Sequence, residues 1–71
     1  MKSAKELFEE LGYKLTVSSA HRIVYTLDNN KWLQDIEFGL EDKIVFAENG
    51  TTMQELLAIN KMVKELGWLD E

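Results

Sequence analysis

Cysteine and proline are both absent from this chain of 71 residues. Without cysteine there is no disulfide framework and no thiolate to hold a metal, which suits a reducing cytosol. Without proline, polyproline linkers and proline-rich ligands drop out. The chain has one histidine, His21, and a lone imidazole builds no metal site unless carboxylates surround it. The four glycines, at 12, 39, 50 and 67, are scattered, so no phosphate-cradling loop can be assembled. Ser18, Ser19, Thr51 and Thr52 lack the glycine-flanked elbow of an activated nucleophile. No apolar run approaches the roughly 20 residues that cross a bilayer. The opening Lys2-Ser3-Ala4-Lys5-Glu6 is charged, so no signal peptide and a cytoplasmic location are expected. Positive charge is scarce: eight Lys and Arg stand against thirteen Asp and Glu, a net charge of −5. Such a surface repels nucleic acid and anionic lipid, and it suits solubility or a basic protein partner.

What is present is enough to fold. Hydrophobic residues make up 45% of the chain, too many for a disordered segment. Residues 1–71 are expected to form a single domain, burying roughly 60% of the surface of the unfolded chain. A core of that size leaves no room for an enclosed substrate.

Both ends read as helices. Ser3-Ala4-Lys5-Glu6 is a capping box, followed by Ala4, Leu7, Phe8 and Leu11 at helical spacing. Gly12 then offers the left-handed residue of a Schellman ending, with Tyr13 returning onto Phe8. Thr52-Met53-Gln54-Glu55 is a second capping box. Leu56, Ile59, Val63 and Leu66 form its stripe, widened by Met53 and Met62, and Gly67-Trp68 ends it.

Between the helices the pattern has period two. Tyr13, Leu15 and Val17 share a face, as do Ile23, Tyr25 and Leu27. Trp32, Gln34, Ile36, Phe38 and Leu40 follow, then Ile44 and Phe46. Turn signals separate the runs at Asp28-Asn29-Asn30 and Glu41-Asp42-Lys43. The expected fold is α+β: an N-terminal helix, an antiparallel meander of three to four strands, and a C-terminal helix. Both helices should cover one sheet face. The expected core is Leu7, Phe8, Leu11, Leu15, Ile23, Tyr25, Ile36, Phe38, Ile44, Phe46, Leu56, Ile59, Val63 and Leu66.

Little in this pattern carries chemistry. Asp35 and Glu37 lie two apart on one strand face, a spacing that can serve acid–base work or a cation. An open strand face lacks the dry pocket such work requires. Neither catalysis nor a cofactor is expected. The element order is like that of double-stranded-RNA-binding domains, which grip phosphate with lysines at the start of the second helix. Here that position is Thr51-Thr52-Met53-Gln54-Glu55, without a cation, which disfavours RNA. The outer sheet face is more suggestive. Val24, Leu33 and Val45 fall there beside Asp35 and Glu37, an apolar centre with an acidic edge. Interfaces combine those features, so these five residues are the candidate contact surface for a protein partner or a homodimer.

Met53-Gln54-Glu55-Leu56-Leu57-Ala58-Ile59-Asn60-Lys61, continued by Lys64-Glu65-Leu66-Gly67-Trp68, resembles the closing segment of a group of small phage and prophage proteins of Gram-positive bacteria. The opening Ala4-Lys5-Glu6-Leu7-Phe8-Glu9-Glu10-Leu11-Gly12-Tyr13 is similar to their start. The group has no assigned activity, so the resemblance implies no catalytic residues. It implies a bacterial host and an accessory role exerted by binding a host protein, by analogy with other small acidic phage proteins. Asn60 is part of the match and is expected to lie in the helix stripe with a structural role.

Overall fold

The structure, a computed structural model, describes residues 2–28 and 33–68. The element order is α1 (Ala4–Glu10), β1 (Lys14–Ser18), β2 (Arg22–Asp28), β3 (Leu33–Gly39), β4 (Ile44–Ala47) and α2 (Met53–Glu65). The strands pair antiparallel in the order β1-β2-β3-β4. This is the expected α+β meander with a helix at each end. Trp32 and the Asn29-Asn30 turn lie outside the described residues.

Local chemistry sets the helix ends. In α1 the Ser3 hydroxyl accepts from the Glu6 amide, and the Glu6 carboxylate accepts from the Ser3 amide. The Ser3 amide, and after it the Ser3 hydroxyl beside the carboxylate, hold the Glu6 carboxyl below its usual range. Gly12 follows the C-cap at φ +92°, with Gly12 N–H on Glu9 C=O at 3.0 Å and Tyr13 N–H on Phe8 C=O at 2.9 Å. That is the Schellman pair. α2 repeats it: Gly67 stands at φ +75°, and Trp68 N–H reaches Val63 C=O at 3.1 Å. Only seven residues long, α1 is too short to persist alone. It is tied to α2 at both ends. The Glu65 carboxylate accepts from the Ala4 amide at 2.7 Å, and Tyr13 donates to Glu55 at 2.6 Å. These two bonds make the helices antiparallel neighbours.

The core lies between the helices and one sheet face. Ala4, Phe8, Tyr13, Tyr25, Ile36, Phe38, Ala58, Ile59 and Met62 form one buried cluster. Phe8 stacks on Tyr25 at 4.3 Å and meets Tyr13 and Phe38 edge-on. The Trp68 ring closes the cluster, 6.5 Å from Phe38. Leu7, Leu11, Ile23, Val63 and Leu66 pack around it, half-buried.

Four expected core residues are instead exposed: Leu15, Ile44, Phe46 and Leu56. Each has a physical reason. The hairpin from β3 to β4 pairs Gly39 with Ile44. A loop of four residues, 40–43, therefore sets the parity of β4, turning Ile44 and Phe46 outward and Val45 and Ala47 onto the core. In β1 a bulge between Leu15 and Val17 changes the register, so Val17 pairs with Val24 on the outer face instead of joining Leu15. Leu15 faces the helix side, opposite Tyr25, at an open sheet edge. In α2 the buried line is Glu55, Ala58, Ile59 and Met62, which leaves Leu56, Leu57 and Met53 exposed. Counting apolar side chains favours the leucines. Glu55 turns the helix the other way, because Tyr13 and the Thr52 amide hold its carboxylate inside. Asn60 is exposed as a result, not in the buried stripe.

Candidate interaction surface

The sheet face opposite the helices is organised in cross-strand rows, which follow from the registers. One row runs Val17, Val24, Glu37, Phe46. A flanking row holds Arg22, Gly39 and Ile44, and another holds Lys14, Thr26 and Asp35. Val24 sits at the centre, between Val17 and Glu37, and is only 6% exposed although no helix covers it. Phe46 and Ile44, on the edge strand, are 58% and 57% exposed. Leu33 is 56% exposed at the other end of β3, opposite Asp28.

Thr16, Thr26, Asp35, Arg22 and Glu37 on this face already engage one another. Thr26 Oγ1 donates to Asp35 Oδ1 at 2.8 Å. With its one proton used, Thr26 accepts from the Thr16 hydroxyl at 2.9 Å. Glu37 Oε1 lies 3.7 Å from Arg22 Nη1, an ion pair along the edge of the Val24 row. Asp35 and Glu37 do share a face, as their spacing requires, but each serves a neighbour across the strands. Among the described residues no three acidic, histidine or cysteine side chains gather as a metal site.

Of the five residues singled out from the sequence, Val24, Leu33, Asp35 and Glu37 lie on this face. Val45 does not: β4 is flipped, and Val45 opposes Phe38 on the core side. Phe46 and Ile44 take its place. The missing signal was the loop length, which a propensity reading of Glu41-Asp42-Lys43 set one residue too short. His21 has a partner that its sequence neighbours do not reveal. Its Nδ1 lies 2.5 Å from Glu41, brought near by the Leu40 N–H bond to His21 C=O at 2.9 Å.

Recesses also lie elsewhere among the described residues. One, of about 530 Å³, is lined by Leu27, Gln34, Asn49, Gly50, Thr52 and Glu55. Its polar side chains hold the fold. Gln34 donates to Gly50 C=O at 2.7 Å and accepts from Asn49 N–H at 3.0 Å, tying the β4–α2 loop to the sheet. Glu55 accepts from Thr52 and Tyr13. Another, open recess lies on the helix side among Leu7, Leu57, Asn60 and three lysines, of which Lys2 pairs with Glu10. No helix among the described residues is long and apolar enough to cross a membrane. No protein-family model, curated protein or solved structure matches this chain.

Proposed function

We propose that this chain is a small phage-derived interaction module that binds a protein partner, a host factor or defence component, through the outer sheet face and without catalysis. The observation that carries the reading is the pair Ile44 and Phe46, more than half exposed on a face that neither helix covers. Ordinary surfaces scatter such side chains singly; a contiguous group beside charge is what an interface presents. Here the neighbours are Val17, Val24 and the Arg22–Glu37 pair. Asp35 and Glu48 lie one row further on. The face fits a partner with an apolar plug and a basic rim. RNA is the weaker reading, because the start of α2 offers no cation and the sheet has a fourth strand.

The test compares capture from a Gram-positive host lysate by the parent, by Ile44→Lys/Phe46→Lys and by Leu57→Lys on the helix side. Exposed substitutions shift stability by about 0.5 kcal/mol or less, so all three should stay folded by circular dichroism. A protein held by the parent and by Leu57→Lys, yet lost from the double variant, is the expected result. Equal retention by all three would move the functional surface off the sheet.

A further inference from the structure

The two edges of the sheet are built differently. β1 is protected by a bulge and by Lys14, Thr16 and Ser18. These are the devices that keep an edge strand from pairing with another chain. β4, Ile44-Val45-Phe46-Ala47, has none of them. Its register with β3 is regular, and it holds no charge and no proline.

The backbone of β4 shows which groups stand open. Glu48 N–H donates to Asp35 C=O at 3.3 Å, which makes Asp35 and Glu48 a bonded pair. Antiparallel pairs alternate between bonded and non-bonded. Glu37/Phe46 and Gly39/Ile44 are therefore bonded pairs as well, and Ile44 and Phe46 spend their amides and carbonyls on β3. Val45 and Ala47 turn theirs outward, away from the sheet. Gly50 N–H approaches Ala47 C=O at 3.5 Å, which leaves that carbonyl a second lone pair.

We propose that β4 pairs with β4 of a second copy of this chain, antiparallel about a two-fold axis at Phe46, so that two sheets join into one of eight strands. In this register Val45 of each copy exchanges both backbone bonds with Ala47 of the other. The two Phe46 side chains meet at the axis as a non-bonded pair, the closest kind of cross-strand neighbour. The occupant follows from charge. Lys43 precedes the strand and Glu48 follows it. Antiparallel pairing in this register sets each Lys43 opposite Asn49 of the other copy, one residue along from its Glu48, whereas parallel pairing sets like against like. Shifting the axis to Val45 would oppose Asp42 to Glu48, two carboxylates, which selects the Phe46 register. The dimer does not depend on the partner reading, and its test uses the purified chain alone.

The test is sedimentation of the purified chain from dilute solution up to its solubility limit. The parent should reach twice the mass of the chain. Lys43→Glu and Glu48→Lys should each weaken the dimer about tenfold, since two exposed pairs turn from attraction to repulsion. Mixing these two variants should restore a dimer, because both cross-chain contacts then become Glu against Lys; the double variant should restore it as well. Ala47→Pro removes an outward amide and leaves the β3 ladder intact, so it should give a folded monomer. A parent that stays monomeric at its highest concentration overturns the proposal. So does a dimer indifferent to charge reversal and to Ala47→Pro.

Discussion

At the scale of single residues, Tyr13 and Glu55 join a buried side-chain bond to a helix cap. One carboxylate oxygen of Glu55 accepts from the Thr52 amide at 2.9 Å, the other from the Tyr13 hydroxyl at 2.6 Å. Tyr13→Phe keeps the ring against Phe8 but strands a buried carboxylate oxygen. It should cost about 1–3 kcal/mol, read as a lower midpoint in urea. The same geometry predicts alkaline behaviour. Burial, then the bond to Glu55 and its charge, push the Tyr13 phenol well above its ordinary value, and burial also raises Tyr25. A raised phenol binds its proton longer in the folded state than in the unfolded chain. Its stabilisation is therefore complete below the unfolded value of about 10 and is lost as pH rises through the folded one. Melting temperature should fall above that pH, and less steeply in Tyr13→Phe. The two helix-ending glycines should also differ. Both have positive φ, but a Cβ at Gly12 would meet Leu27 at 3.1 Å, while one at Gly67 meets open space. Gly67→Ala should cost about 1–2 kcal/mol from the backbone alone, and Gly12→Ala more. Equal costs in chemical denaturation would show that Leu27 yields freely.

At the scale of elements, the short α1 survives on what surrounds it. Its caps are local, but the bond from Ala4 N–H to Glu65 joins residues far apart in the chain. Glu65→Ala should weaken the first turn of α1 by about 0.5–2 kcal/mol, the range of a lost N-terminal cap. Faster amide exchange at Ala4 to Glu6, with α2 unchanged, would register it. Phe38 is the converse case, a fully buried ring from the central part of the sheet that touches Phe8, Tyr25 and Trp68. Phe38→Ala should cost about 3–5 kcal/mol, which is most of the stability of so small a domain. An unshifted melting curve would contradict the packing.

At the scale of the whole molecule, two helices cover one face of a four-stranded sheet and leave the other to solvent. One layer on a sheet is enough for a core of this size, so the bare face is free for contact. Its substitutable positions are Ile44 and Phe46. A lysine at Val24 or Val45 would disturb the fold, because the first is closed in by its neighbours and the second packs on the core.

Local chemistry was legible in the sequence. Capping boxes, glycine stops and period-two alternation act over a few residues, and they placed both helices, the meander and the buried Phe8, Tyr25, Ile36, Phe38 and Ile59. On the outer face the same alternation placed Val24, Leu33, Asp35 and Glu37. Which side of β4 and which side of α2 turn inward was decided elsewhere. A four-residue loop set the phase of β4, a bulge re-aimed Val17, and Tyr13 drew Glu55 into the core. Each is a long-range pairing or a one-residue register choice, and a shift of one residue in a strand moves every side chain to the opposite face. The sequence thus determined that one sheet face would be open, while the tertiary structure decided that Phe46 and Ile44 stand on it.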